Sequence, residues 1–111
     1  MEKLFELDED LMLINFGMEP KESDYSMLQW TYRFSKKDIY LDFTYCLLDY
    51  TISTVLYHKD ELVYSTFETN LVEIKIRENL IIGKANKNGR SNFFKIDPNN
   101  VVVLWESLLY E

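Results

Sequence analysis

The sequence is poor in the residues that build disulfides, metal clusters and flexible linkers. Its 111 residues include one cysteine, one histidine, three glycines and two prolines. Cys46 therefore has no partner for an internal disulfide, and no cysteine cluster can hold zinc. The low glycine and proline content argues against a low-complexity linker. The longest apolar run, VVVLW, is too short to cross a bilayer.

The N-terminal segment MEKLFELDED also lacks the basic start and apolar centre of a signal peptide. These absences predict a cytoplasmic protein without membrane contact. Apolar residues make up 47% of the chain and aromatic residues 15%. This composition predicts a single globular domain over residues 1–111, and the abundance of tyrosine and phenylalanine favours sheet.

Charge is distributed unevenly along the chain, whose net charge is -7. Residues 1–24 hold eight acids and two lysines, residues 38–73 seven acids and one lysine, and residues 75–95 six bases and one acid. An acidic total opposes general affinity for nucleic acid or anionic membrane.

Hydrophobic periodicity predicts an α+β fold, an antiparallel β-meander of six to seven strands with a helix at each end. The N-terminal helix rests on apolar residues at helical spacing from Leu4 to Ile14 and ends near Gly17, although a short strand at LMLINF is an alternative. Period-two alternation between turn signals predicts the strands. The strand segments are 28–35, 39–46, 51–58, 62–69, 72–77, 80–85 and 91–96.

In the tail DPNNVVVLWESLLYE the apolar residues recur at every third or fourth position instead of every second. Asp97 can cap a helix and Pro98 suits a first helical turn. The apolar positions then fall on one helical face, which predicts the C-terminal helix. They are Val101, Leu104, Trp105, Leu108 and Leu109.

The stretch GKANKNGRS nearly spells a phosphate-binding loop, with Gly83, Gly89, Arg90 and Ser91. Five residues separate its glycines where the motif needs four, and an arginine stands in place of the lysine. The next segment alternates like a strand, whereas a phosphate loop opens a helix. Asn88-Gly89 instead predicts a tight hairpin turn.

No catalytic residues, metal ligands or cofactor are predicted. His58 could serve Cys46 as a base, but strand geometry puts the two about 20 Å apart. Asp8, Glu9 and Asp10 lack the alternation of a calcium loop and are expected on the solvent face of a helix. The sequence therefore favours a non-enzyme.

The basic segment 75–95 carries two adjacent phenylalanines, a combination that can bind nucleic acid. Its bases are Lys75, Arg77, Lys84, Lys87, Arg90 and Lys95. The acidity of the rest of the chain opposes this function. Alternation also sends Phe93 and Phe94 to opposite faces of a strand, so that one of them enters the core.

Tyrosines and carboxylates are mixed in the middle of the chain, a composition that favours binding to a basic protein partner. Alternation predicts that Tyr40 points outward beside Asp42. The candidate partner-binding residues are Tyr40, Asp42, Asp49, Tyr50, Tyr57, Asp60, Glu61, Tyr64 and Glu68.

An acidic, cysteine-poor chain of this size, with the meander YSTFETNLVEIKIRENLIIGKANKNGRSNFFKID and no catalytic motif, resembles the immunity proteins of bacterial polymorphic toxin systems, including those of contact-dependent inhibition. The resemblance is one of overall profile, without a shared motif. It implies a stoichiometric inhibitor that occludes a cognate toxin, often a basic nuclease.

Three other functions remain open on the sequence alone. One is an acidic inhibitor of a phage or host defence nuclease, and another is a nucleic-acid-binding module that uses the basic segment. The third is a small-molecule-binding domain or enzyme, which would need a buried polar pocket with converging carboxylates.

Overall fold

A computed structural model describes residues 3–109, which form ten strands and one α-helix. The elements are β1 (Leu4–Glu6), α1 (Glu9–Phe16), β2 (Glu22–Asp24), β3 (Gln29–Lys36), β4 (Ile39–Cys46), β5 (Thr51–His58), β6 (Glu61–Glu68), β7 (Leu71–Arg77), β8 (Leu80–Lys87), β9 (Arg90–Asp97) and β10 (Val102–Leu109).

The strands form two five-stranded sheets, not the one meander that the sequence predicted. The first sheet has the order β1-β7-β8-β9-β10, and the second has the order β2-β3-β4-β5-β6. Every strand pair is antiparallel except β1 with β7. The chain leaves the second sheet after β6 and enters the first through Asn70, whose φ is 58°. The predicted α+β class holds only broadly, since the described chain is mostly β.

One hydrophobic core receives side chains from both sheets and from the helix. The second sheet contributes a stacked row of aromatic rings, in which Tyr32 and Tyr45 lie 6.5 Å apart with nearly parallel planes. The first sheet contributes mostly isoleucines, with Phe94, and Met12 of α1 is also fully buried in this core. Alternation along each strand produces this core because every second residue points inward.

The N-terminal helix is shorter than predicted. Leu4–Glu6 instead form strand β1, which pairs with β7. The helix begins after Asp8, whose side chain accepts a hydrogen bond of 2.8 Å from the backbone N–H of Leu11. It ends at Gly17, as expected, because that residue takes a left-handed φ of 65° and donates to the Leu13 carbonyl.

The predicted C-terminal helix is wrong, because Val102–Leu109 form strand β10 along the edge of β9. Val103 and Trp105 pack against the core, whereas Leu104 is 61% exposed. This is a period of two, and the β-branched start of the segment suits it. Residues 110–111 of the predicted helix lie outside the described residues.

The predicted hairpin turn at Asn88-Gly89 is confirmed. Their φ angles are 52° and 76°, and Lys87 pairs with Arg90 across the turn. Gly83 has another role, since it lies opposite Phe94 in β9. A Cβ there would lie 2.5 Å from the Glu73 carbonyl oxygen and 2.5 Å from Cε1 of Phe94, so only glycine leaves room for the ring.

Candidate functional site

The nine candidate partner-binding residues fall in three places in the structure. Tyr40, Asp42 and Tyr57 lie on the outer face of the second sheet, because their neighbours Leu41, Phe43 and Leu56 point to the core. Asp60, Glu61, Tyr64 and Glu68 lie on β6 or in the turn before it. Asp49 and Tyr50 lie in the turn between β4 and β5.

Asp42 is engaged within the chain. It lies opposite Arg33 in β3, and the two carboxylate oxygens accept hydrogen bonds of 2.7 and 2.8 Å from that guanidinium. The Lys21 ammonium lies 3.6 Å from the Oδ2 atom of Asp42. The hydrogen bonds from Arg33 hold the pKa of Asp42 below its usual value. Because Asp42 is neutralised by these bases, it adds little to the field that a partner meets.

Tyr40 and Tyr57 form a fixed aromatic pair next to the β5–β6 turn. Their rings stack at 4.8 Å, and the Arg33 guanidinium lies 4.1 Å from the centre of the Tyr40 ring. The Tyr40 hydroxyl donates a 3.0 Å hydrogen bond to Asp60. Burial, with this hydrogen bond, raises the pKa of Tyr40 above its usual value. The pair therefore connects the outer face of the sheet to the turn that precedes β6.

The turn and strand from Asp60 to Glu68 are here called the β6 surface. Among the side chains that the structure describes, its large apolar residues are the most exposed along one strand. Leu62, Val63 and Phe67 are 62%, 58% and 66% exposed. Asp60 and Glu61 stand at one end of this apolar stretch and Glu68 at the other. Exposed apolar area with a charged rim is typical of protein-binding surfaces.

The two faces of β6 differ in what they present. Phe67 lies opposite Ser53 and Leu62 opposite Tyr57, which places both on the outer face. Tyr64 lies opposite Leu56 and therefore points to the inner side. There it lines a cleft of about 220 Å³ that also includes Glu68 of β6, and Asn92 and Trp105 of the first sheet.

The sequence identified the acids and tyrosines of this surface but missed Leu62, Val63 and Phe67. Its strand 62–69 is close to the observed β6, yet alternation alone would bury one side of that strand. The pattern is disturbed by a bulge in the pairing between Leu56 and Tyr57. The unusual signal in the sequence was the adjacent pair Leu62-Val63, which a half-buried strand does not need.

Asp49 and Tyr50 lie at the opposite end of the β4–β5 hairpin from Asp60 and Glu61, close to the Glu68 end of β6. The β4–β5 hairpin pairs Cys46 with Thr51 at one end and Ile39 with His58 at the other. Eight-residue strands separate the ends by about 25 Å. Tyr50 instead stacks on Phe5 of β1 at 5.9 Å, beneath the Lys3 ammonium at 4.1 Å. The structure therefore does not join all nine residues in one patch.

A second acidic and apolar surface surrounds α1. Glu9, Asp10 and Glu19 line a shallow depression of about 440 Å³ with Leu13. Ile14 on the same helix is 78% exposed. The predicted solvent exposure of the acids holds for Asp8 and Asp10, whereas Glu9 is partly buried and accepts a 2.9 Å hydrogen bond from the Tyr25 hydroxyl.

The basic segment forms part of the first sheet. The Lys75 ammonium forms an ion pair with the Glu73 carboxylate at 3.1 Å, and the Arg77 guanidinium forms one with the Glu6 carboxylate at 3.8 Å. Phe94 is buried in the core, as alternation predicted, which leaves Phe93 outward with Lys84 5.7 Å from its ring centre. One partly buried aromatic ring is a small platform for stacked bases.

Strand register separates Cys46 from His58. Cys46 is buried and its thiol donates to the Met27 carbonyl at 3.2 Å, at the opposite end of the β4–β5 hairpin from His58. A Cys–His dyad is therefore excluded. Within residues 3–109 no group of three or more His, Cys, Asp or Glu side chains could hold a metal ion, and no helix is long and apolar enough to cross a membrane.

Comparison with known proteins finds a likeness in fold. No protein-family model matches the chain, and no curated protein does. A chain in the solved contact-dependent growth inhibition toxin–immunity protein complex from Klebsiella pneumoniae 342 superposes with a TM-score of 0.84. The two are 16% identical, over 97% of this chain and 100% of that one. The resemblance stated from the sequence is thus confirmed at the level of the fold.

Proposed function

We propose that this chain is an immunity protein, a stoichiometric inhibitor that binds a cognate toxin and occludes its active site without catalysis. The observation that carries the proposal is the fold shared along almost the whole chain with a member of a toxin–immunity complex. The β6 surface supplies what such an inhibitor needs, since apolar side chains provide buried area and carboxylates select the partner.

The proposal includes a basic toxin, most simply a nuclease, and a complex formed in the cytosol. The β6 surface is acidic, because residues 60–68 contain Asp60, Glu61 and Glu68 and no base, and Lys59 directly precedes them. Nucleases that bind phosphates need basic clefts, to which carboxylates are complementary. Carboxylates at the rim of an interface mainly accelerate association, so the association rate should fall as salt is added.

The experiment co-expresses this chain with the toxin region encoded by the adjacent gene. We expect growth arrest by the toxin region alone, and rescue when this chain is present. The purified pair should form a 1:1 complex in which toxin activity is lost. A Phe67→Lys variant should rescue poorly, whereas Glu78→Gln, at an exposed residue in the β7–β8 turn of the first sheet, should rescue fully.

Two results would overturn the proposal. If this chain arrests growth when it is expressed alone, it corresponds to the toxic member of such a pair. If no complex forms and growth is not rescued, the shared fold serves another purpose. A tight complex with a nuclease of another origin would favour the defence-nuclease inhibitor, which uses the same electrostatics.

A further inference from the structure

Strand β6 ends the second sheet, and none of residues 3–109 pairs with its outer edge. An edge strand presents main-chain N–H and C=O groups in a row, so it is a template for another strand. Its pairing with β5 is regular from Ile52–Glu68 to Leu56–Tyr64, and the bulge comes only beyond Leu56. At least five residues of the edge, 64–68, are therefore straight enough to accept a strand.

Natural proteins protect such edges with lysine, proline, short strands or a covering element. Strands β1 and β2, at the other edges of the two sheets, have three residues each. In contrast, β6 has eight residues and contains neither lysine nor proline. Its exposed Leu62, Val63 and Phe67 add apolar area beside the open edge. The edge is thus long and apolar, and no bulge, lysine or proline interrupts residues 64–68.

Charge identifies the kind of strand that fits. Asp60 and Glu61 lie at one end of β6 and Glu68 at the other, so a strand with basic residues near its ends is complementary to it. The long edge of the other sheet is less suitable. The outer face beside β10 carries Glu106 against two bases, Lys95 opposite Leu104 and, one strand further, Lys84, so its net charge is positive and disfavours a basic strand.

From these observations we infer that inhibition works by strand addition, in which an extended basic segment of the toxin pairs with β6 as a sixth strand of the second sheet. This inference rests on the proposed function. Main-chain hydrogen bonds hold the segment, and its side chains alternate between Phe67 on the outer face and the cleft beside Tyr64 on the inner face.

Residue-resolved amide hydrogen exchange tests the inference on the 1:1 complex with the toxin region encoded by the adjacent gene. In an antiparallel pair alternate residues direct their N–H to the same side. We therefore expect alternate amides of 64–68 to slow by about 100-fold or more on binding. The amides of residues 102–104 in β10, outside the cleft beside Tyr64, serve as the control, and their exchange should not change.

Paired proline variants test the same hydrogen bonds by affinity. Of Ser65→Pro and Thr66→Pro, one replaces an N–H that faces β5 and unfolds the edge, while the other replaces an N–H that faces outward. The variant that retains the wild-type melting temperature should bind the toxin region about 10- to 100-fold more weakly. Val102→Pro and Val103→Pro in β10, which lie outside the cleft beside Tyr64, form the matched control, and the folded one should bind normally.

The outcomes separate the two proposals. A complex that forms without alternating protection on β6 overturns strand addition and leaves the proposed function standing. So does a folded β6 proline variant with unchanged affinity. If no complex forms at all, the proposed function fails, and this inference fails with it.

Discussion

Replacing Asp42 with asparagine separates a structural carboxylate from a binding one. The substitution keeps the shape of the side chain and removes its charge, so the hydrogen bonds from Arg33, at 2.7 and 2.8 Å, lose their ionic part. The Asp42 side chain is only 15% exposed, whereas those of Arg33 and Lys21 are 38% and 40% exposed. The bases can therefore recover water when the carboxylate is lost.

This difference in exposure between Asp42 and its two bases determines how much stability the substitution removes. A hydrogen bond to a charged group contributes about 1.5–3 kcal/mol, and exposed ion pairs contribute about 1 kcal/mol or less. Asp42 lies between these cases. We expect Asp42→Asn to lower the free energy of unfolding by about 1–2 kcal/mol at neutral pH, measured by urea denaturation.

The effect should depend on pH in a defined direction. Arg33 lowers the pKa of Asp42 in the folded protein below its value in the unfolded chain. The stabilisation is therefore complete above the unfolded value of about 3.9, and it disappears as the pH falls through the lower folded value. The difference in unfolding free energy between wild type and variant should shrink when denaturation is repeated at about pH 2.5.

Asp49→Asn is the matched control. Asp49 is exposed and forms no ion pair with the residues that the structure describes, so its replacement should leave stability unchanged. Equal effects of the two substitutions at neutral pH, or a constant difference for Asp42→Asn at both pH values, would refute this reasoning. Asp42→Lys is a poor test of binding because it places a third base beside Arg33 and Lys21.

Two further substitutions test the core. Gly83→Ala should lower the free energy of unfolding by about 1–3 kcal/mol, since the new Cβ would overlap the Phe94 ring and the Glu73 carbonyl. Phe94→Leu in the same chain should recover part of this loss in urea denaturation, and additive losses would contradict the contact. Burial raises the pKa of Tyr32 to about 12. The stabilisation from its neutral hydroxyl is therefore complete below the pKa of tyrosine in the unfolded chain, about 10, and is lost as the pH rises through the pKa in the folded protein. Tyr32→Phe should therefore lose less stability than wild type between about pH 9 and pH 11; equal losses would show that Tyr32 does not report on alkaline unfolding.

The sequence predicted most strands of this protein, because side-chain alternation is a local property. Segments 39–46 and 51–58 coincide with β4 and β5, and Asn88-Gly89 forms the expected turn. Gly17 ends the helix for the same kind of reason, since only a residue that tolerates positive φ suits the end of a helix there.

Where the apolar spacing fitted both a helix and a strand, tertiary contacts determined which of the two formed. The tail from Val101 to Leu108 fits a helical face as well as a strand. The segment forms a strand because it pairs with the edge of β9, whose main-chain N–H and C=O groups would otherwise be unpaired. Leu4–Glu6 likewise became a strand through pairing with β7, which lies far along the chain.

The candidate site divides in the same way. The sequence alone showed the acidic and aromatic character of Asp60, Glu61, Tyr64 and Glu68. It also showed that an acidic chain has little general affinity for nucleic acid. That Asp42 is bound by Arg33, and that Tyr50 stacks on Phe5 of β1, follows from tertiary contacts alone. Only the division into two sheets made β6 an edge strand, and an edge is defined by which strands are adjacent, a property that no local pattern of residues carries.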